Sequence, residues 1–202
     1  MHQTIENNNF LWENIAQNVN DENIIKKYIE KEIIKPLYFD KQIKQTPLHV
    51  ATRYNNICFV SVLLKNGADI NCKNFLDQTP LHIAIFLGYE NISLLLINSG
   101  CNLEEIDYNG NSILHYCAKY GSNNIMYHIL SKEIFTDKVN YNGDNALHYC
   151  MENRNSDKTN MLILKGININ HINNEYRTPL SYAISNDNYS IIYTLLNNGG
   201  IC

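Results

Sequence analysis

The sequence repeats itself with a period of 33 residues. Thr46-Pro47-Leu48-His49 returns as Thr79-Pro80-Leu81-His82, and the same register gives Ser112-Ile113-Leu114-His115, Asn145-Ala146-Leu147-His148 and Thr178-Pro179-Leu180-Ser181. No insertion separates these five copies. A unit of this length cannot bury its apolar face alone, so neighbouring copies must stack to share a core. The period therefore predicts an array of like units.

The recurring positions fit a helix–turn–helix unit. Thr, Ser or Asn can cap a helix start, and Pro suits the first helical position because no N–H is needed there. In the first copy these signals and the apolar spacing predict helices at about Pro47–Tyr54 and Ile57–Lys65. The small residue Ala51 lets neighbouring helices approach, and Gly67 is expected to end the second helix in the left-handed conformation.

The phrases TPLHVA at residues 46–51 and GADIN at residues 67–71 resemble the ankyrin repeat family, which has the same 33-residue period. The resemblance covers Lys41–Cys202 and implies an all-α solenoid of helix–turn–helix units joined by β-hairpin-like loops. Residues 1–40 lack the TPLH phrase and are expected to form a degenerate N-terminal capping repeat. The five ankyrin repeats are then expected at residues 41–73, 74–106, 107–139, 140–172 and 173–202.

Four of the seven histidines occupy one repeat position. An active site does not recur in every repeat, so we interpret these side chains as scaffold and not as catalysts or metal ligands. In the ankyrin family this His ties the hairpin to the helix by hydrogen bonds. The predicted structural positions are Thr46, Pro47, His49, Thr79, Pro80, His82, His115, His148, Gly67, Gly100, Gly166 and Gly199, and the third copy has Glu133 in place of the Gly.

No pattern typical of a catalytic or cofactor site occurs in the sequence. It contains no GxGxxG, P-loop, HExxH or GxSxG pattern. None of the six cysteines forms a CxxC pair, and Cys117 and Cys150 are repeat equivalents in the small-residue position, where burial is expected. We therefore expect no enzymatic activity, no cofactor and no metal.

Composition and charge favour a folded, non-membrane protein. Of the 202 residues, 45% are apolar and 18% are charged. A formal net charge of −4 offers no basic surface for direct nucleic-acid binding. No apolar run reaches the roughly 18–20 residues that span a bilayer, and the first residues lack a secretory-signal pattern. Scattered cysteines fit the cytoplasm or the nucleus, and we expect a monomer.

Partner binding is expected at the variable positions on the hairpin tips and first helices, which together form an extended concave surface. In the first three repeats these positions are unusually apolar and aromatic, a composition typical of protein interfaces. In an alternative interpretation, Phe86 and Leu87 pack against the neighbouring helix and only the tips are free. The predicted partner-binding residues are Arg53, Tyr54, Phe75, Leu76, Phe86, Leu87, Tyr108, Lys119, Tyr120 and Tyr141.

A finer resemblance concerns the kind of partner. The order QTPLHIA, GCNLEEIDYNGNSILHYCAKYG and GDNALHYCMENRN is similar to the inhibitory ankyrin domain of the I-kappa-B and NF-kappa-B precursor proteins. This resemblance implies an inhibitor that binds a Rel/NF-kappa-B-type transcription factor. The LHYC phrases and the Asn/Ile-rich composition also resemble ankyrin proteins of poxviruses and other large viruses. That second resemblance leaves open a substrate adaptor for a larger assembly such as a ubiquitin ligase, in a viral or parasite host-range protein.

The fourth repeat departs from the pattern in its second helix. Lys158 and Thr159 stand where other repeats have apolar pairs such as Phe59-Val60 or Ile125-Met126. The substitution predicts poor packing at this turn, and the segment Asn153–Asn160 is predicted to be the most mobile part of the chain. Alternatively, the irregularity fits a partner.

Overall fold

The computed structural model describes residues 2–36, 45–151 and 156–202, with side chains described from residue 10 onward. Within these ranges the regular structure is helical, and isolated antiparallel bridges join Ile106 to Ser112 and Val139 to Asn145. The predicted all-α class is therefore confirmed. The chain divides into two compact units, Met1–Asn102 and Leu103–Cys202.

In the first unit, the first helices of successive repeats stack on one another, and so do the second helices. Helix α1 packs on α3 and α3 on α5, whereas α2 packs on α4 and α4 on α6. Trp12 and Phe59 are the largest side chains buried completely in this unit. Its helices are α1 (His2–Asn18), α2 (Glu22–Glu30), α3 (Pro47–Arg53), α4 (Ile57–Lys65), α5 (Pro80–Phe86) and α6 (Glu90–Asn98).

The second unit repeats the same arrangement. Helix α7 packs on α9 and α9 on α11, whereas α8 packs on α10 and α10 on α12. Ile113 and Met126 are among its fully buried side chains. Its helices are α7 (Ile113–Tyr120), α8 (Asn123–Leu130), α9 (Ala146–Cys150), α10 (Ser156–Leu164), α11 (Pro179–Ser185) and α12 (Tyr189–Asn197).

A reciprocal cap begins helix α3. Thr46 Oγ1 accepts the His49 N–H at 3.4 Å, and His49 Nδ1 accepts the Thr46 N–H at 3.3 Å. This pair is a capping box in which His takes the place of the usual Glu or Gln. Local signals thus fix the helix start, and α3 and α4 agree with the predicted helices except that α3 ends at Arg53 instead of Tyr54.

The second helices end in two different ways. Gly67, Gly100, Gly166 and Gly199 have φ values between 81° and 84°, the left-handed conformation that favours glycine. At the equivalent position of the third repeat, Glu133 does not have a positive φ. The chain therefore follows a different path after α8 than after the other second helices.

The prediction that Lys158 and Thr159 pack poorly is wrong. Both side chains are buried. Lys158 Nζ donates to Ala118 O at 2.9 Å and to Cys117 O at 3.3 Å, in the last turn of α7. An ammonium group is favourable there because intrahelical donors run out and the helix dipole is negative, while the aliphatic stem fills the apolar position. Residues 153–155 of the segment predicted to be mobile lie outside the described residues.

Candidate functional site

Three of the recurring histidines join a first helix to the next hairpin. His49 Nε2 lies 3.1 Å from Gln78 O, and His115 Nε2 lies 2.8 Å from Asp144 O. His148 Nε2 likewise lies 3.2 Å from Arg177 O in the hairpin that follows it. In His49 and His115, Nδ1 accepts the N–H of the helix cap, so the proton resides on Nε2, which donates to the carbonyl.

Burial lowers the pKa of these imidazoles. The pKa of His49 falls to about 4, and those of His115 and His148 are also lowered, in each case mainly because burial disfavours the charged form. Protonation of Nδ1 would place a donor against the N–H of the cap. The neutral ring is therefore the form that holds helix and hairpin together, and both of its nitrogens are engaged in that role.

A second recurring position, which the sequence motifs above do not include, lies in the hairpins. Asn74 Oδ1 accepts the N–H groups of Leu76 at 2.9 Å and Gln78 at 3.0 Å. This Asx arrangement fixes the hairpin backbone. The signal was present in the sequence, because the equivalent residues follow the 33-residue register and make the same pair of bonds. They are Asp107, Asn140 and Asn173, all buried.

In the second unit, polar side chains connect neighbouring hairpins. Asn140 Nδ2 donates to Asn111 Oδ1 at 2.9 Å, and Asn173 Nδ2 donates to Asp144 Oδ1 at 2.7 Å. The Tyr149 hydroxyl also donates to Asn111 Oδ1, at 2.9 Å. Buried networks of this kind restrict movement because breaking one bond leaves a polar group unsatisfied. The hairpins are thus held in register from one repeat to the next.

The predicted partner-binding residues of the first unit lie on its surface. Phe75 is 59% exposed and Phe86 is 51% exposed. Phe75 belongs to the hairpin fixed by Asn74, and Phe86 is the last residue of α5. Leu76, Leu87 and Arg53 are also exposed, whereas Tyr54 is half-buried. Phe86 and Leu87 are therefore not packed away, contrary to the alternative interpretation.

The predicted residues of the second unit are aromatic. Tyr108, Tyr120 and Tyr141 are exposed, and Lys119 is half-buried. Lys119 Nζ lies 5.7 Å from the ring centroid of Tyr120 and 5.6 Å from that of Tyr149, within the range of cation–π attraction. This contact fixes a cation among tyrosine rings. That these residues continue the surface of the first unit stays a prediction.

The described residues were compared with what a reactive cysteine or a metal site requires. Burial raises the pKa values of the Cys117 and Cys150 thiols to about 12, so both are protonated and weakly nucleophilic at neutral pH. No group of three or more His, Cys, Asp or Glu side chains in residues 2–36, 45–151 and 156–202 could hold a metal ion. In the same ranges, no helix has the length and apolar character needed to cross a membrane.

The comparisons with known proteins agree with this architecture. The family model described as "Ankyrin repeats (3 copies)" matches residues 13–107, 48–140, 95–173 and 114–202. The crystal structure of an ankyrin repeat domain from Acinetobacter baumannii AYE is similar, with a TM-score of 0.80 and 25% sequence identity over 96% of this chain and 100% of that chain. A search of curated proteins found no match. The overlapping matches extend from residue 13 to residue 202, and the chain belongs to the ankyrin repeat family.

Proposed function

We propose that the chain is a non-enzymatic protein–protein interaction module that binds a partner protein through its hairpin tips and first helices, the concave face. Ankyrin repeats are generally protein–protein interaction modules. The observation that carries the proposal is the exposure of Phe75, Leu76, Phe86 and Leu87 in the first unit. Large apolar side chains exposed together are typical of interaction sites.

The rigidity of the scaffold also supports this proposal. Phe75 follows Asn74, whose side chain fixes the hairpin backbone, and Phe86 ends a helix that begins with a His-containing capping box. Both aromatic side chains are therefore presented by ordered backbone. A partner that binds them has little backbone order to impose, so more of the contact energy contributes to affinity.

The double variant Phe75→Ala/Phe86→Ala tests the proposal. Aromatic anchors at an interface contribute about 2 kcal/mol or more when truncated, so the variant is expected to lose partner capture from a cell lysate. Tyr189→Ala/Tyr193→Ala is the matched control, because both tyrosines are at least as exposed but belong to a second helix. Circular dichroism and melting checks should show that all proteins are folded. Equal capture by the double variant and the wild type contradicts the proposal.

The finer proposal is that the partner is a Rel/NF-kappa-B-type transcription factor and that binding inhibits it, as in I-kappa-B-like proteins. The similarity of the GNSILHYCAKYG phrase to that group supports it. The chain would then act as a monomer in the cytoplasm or nucleus, without touching nucleic acid itself. Titration of a purified Rel homology domain bound to labelled DNA tests this. Release of the DNA supports the inhibitor, and no effect at a saturating concentration of the chain contradicts it.

An alternative proposal is a substrate adaptor for a larger assembly such as a ubiquitin ligase. The LHYC phrases, which resemble those of large-virus ankyrin proteins, favour it. Mass spectrometry of captured proteins separates the two proposals. Ligase subunits that remain bound after the Phe75→Ala/Phe86→Ala substitution, together with a substrate that is lost, would support the adaptor. A single transcription factor without ligase subunits would support the inhibitor.

A further inference from the structure

We infer that the second unit carries a further docking groove between helices α8 and α10, which takes a short amphipathic helix of a partner protein bearing apolar and acidic side chains. The groove lies on the second helices and the loop after them. It is therefore separate from the hairpin tips and first helices of the proposed function, and it does not depend on that function.

Two adjoining cavities form the groove. The first has a volume of about 330 Å³, and the second, bounded by the loop after α8, has a volume of about 550 Å³. Both are within the range of about 300–1,000 Å³ that is common for binding clefts. Ser131 and Lys165 line both cavities, so the cavities form a continuous groove. The other residues that line the first cavity are Tyr127, Leu130, Met161 and Leu164.

The groove is bordered by large apolar side chains exposed to solvent. Leu164 is 87% exposed, Phe135 is 75% exposed and Tyr127 is 65% exposed. Leu130 is buried and contributes to the cavity wall. A partner side chain that enters between them would remove apolar surface from water on both sides, which favours binding. The apolar border thus favours a ligand with large apolar side chains.

The irregular end of the third repeat contributes Phe135 to this border. Where other repeats have Asp69, Asn102 and Asn168, the third has Phe135. Its backbone N–H donates to Glu104 Oε1 at 2.9 Å, so the loop is anchored while the ring points away from the core. An ordered loop that exposes a phenylalanine is unfavourable in isolation, and a partner would relieve that cost.

Charge selects the kind of partner. Lys132 and Lys165 occupy the same repeat position, one on each side of the groove, and neither forms an ion pair with another described residue. Glu104 is neutralised by Lys138 at 2.7 Å, which leaves Glu133 as the other charged group of the lining. The lining has two lysines and two glutamates, and of its three charges without an ion pair to another described residue, two are positive. Opposite charge on a ligand is favoured, and like charge is disfavoured.

These features fit recognition of a helix in a groove. In that binding mode, apolar side chains at positions i and i+4 enter the groove, and charged side chains at its border set the specificity. In the proposed complex, two apolar side chains one turn apart would each enter one of the two adjoining cavities. An Asp or Glu on the neighbouring turn would then meet Lys132 or Lys165. A short helix bound in one groove forms a small interface, so a dissociation constant in the micromolar range is expected.

The chain itself supplies conservative variants for a test. Asn98 and Asn197 occupy the position of Leu164 in other repeats, Asn160 occupies that of Tyr127, and Asn66 and Asn198 occupy that of Lys165. Leu164→Asn/Tyr127→Asn and Lys132→Asn/Lys165→Asn therefore place residues that this fold already accepts. Tyr193→Asn is the control, because Tyr193 is the exposed repeat equivalent of Tyr127 on α12, outside the groove lining.

The probe is a displayed library of random 16-residue peptides, selected on the full chain. Enriched peptides are labelled with fluorescein and titrated by anisotropy. The proposal expects enrichment of peptides with two large apolar residues at i, i+4 and an acidic neighbour. Their affinity should fall about tenfold or more in Leu164→Asn/Tyr127→Asn and about threefold to tenfold in Lys132→Asn/Lys165→Asn. Affinity should be unchanged in Tyr193→Asn and in Phe75→Ala/Phe86→Ala.

The proposal would be overturned by the absence of enrichment, by the enrichment of basic peptides, or by binding that survives Leu164→Asn/Tyr127→Asn in a folded protein. Peptides lost only in Phe75→Ala/Phe86→Ala would also overturn it, although they would support the proposed function. Because Phe75 and Phe86 belong to the first unit and the substituted groove residues belong to the second, the failure of one proposal can be distinguished from the failure of the other.

Discussion

Substitution of His49 by Gln should make the stability of the first unit less sensitive to pH. Gln is a usual residue at the third helical position of a capping box, so it can still accept the Thr46 N–H. It cannot titrate between pH 7 and pH 5. Any loss of the bond to Gln78 O lowers the unfolding free energy equally at pH 7 and pH 5, so it cancels when the two values are compared.

The expected magnitude follows from the pKa of His49. Burial lowers this pKa to about 4 in the folded chain, whereas about 6.5 is usual in an unfolded chain. The unfolded state therefore binds more protons below pH 6.5, so the contribution to stability is present above that pH and is lost as the pH falls towards 4. The difference corresponds to about 3 kcal/mol in total, of which about 2 kcal/mol is lost between pH 7 and pH 5.

Urea unfolding at pH 7 and pH 5 measures the effect. Trp12 is buried in the same unit as His49, so its fluorescence reports on unfolding there. The wild type is expected to lose about 2 kcal/mol more of its unfolding free energy between the two pH values than His49→Gln does. Equal losses in the two proteins would refute the assigned burial of the neutral imidazole. His115→Gln, followed by circular dichroism, should change in the same direction because burial also lowers the pKa of His115.

The remaining predictions concern the second unit. Lys158→Met keeps the stem but removes the donor to the last turn of α7, so chemical denaturation should show a loss of about 1–3 kcal/mol. A Met variant as stable as the wild type would contradict the capping role. Gly143→Ala places a Cβ 2.6 Å from Asn174 Oδ1 at a φ of +77°, and a loss of about 1–3 kcal/mol in unfolding free energy is expected. An unchanged melting temperature would show that the hairpins can move apart.

The repeats and helix bounds could be predicted from the sequence because their determinants are local. A capping box needs two residues three positions apart, and a left-handed helix end needs a single glycine, so α3 and α4 lie at almost the predicted residues. The exposure of Phe75 and Phe86 was likewise expected from their positions in the repeat. Both features depend on the repeat template and hardly on contacts with distant residues.

The buried lysine shows where this reasoning fails. The sequence pattern predicts a packing defect at Lys158, yet its ammonium reaches carbonyl groups about 40 residues earlier in the chain. Whether a buried charge stabilises or disrupts depends on such distant partners, which periodicity does not contain. The groove beside Leu164 was missed for the same reason, because it requires the path of the loop at residues 131–136. The recurring hairpin position of Asn74, in contrast, can be predicted from the 33-residue register alone.

Amide hydrogen exchange on the chain with and without its captured partner would test the central claim most directly. The account predicts that the partner slows exchange at the hairpin of residues 74–78 and at the end of α5, while α12 is unchanged. Protection absent from both of these segments would contradict binding through Phe75 and Phe86. Protection confined to residues 127–136 and 161–165 would instead assign that partner to the groove.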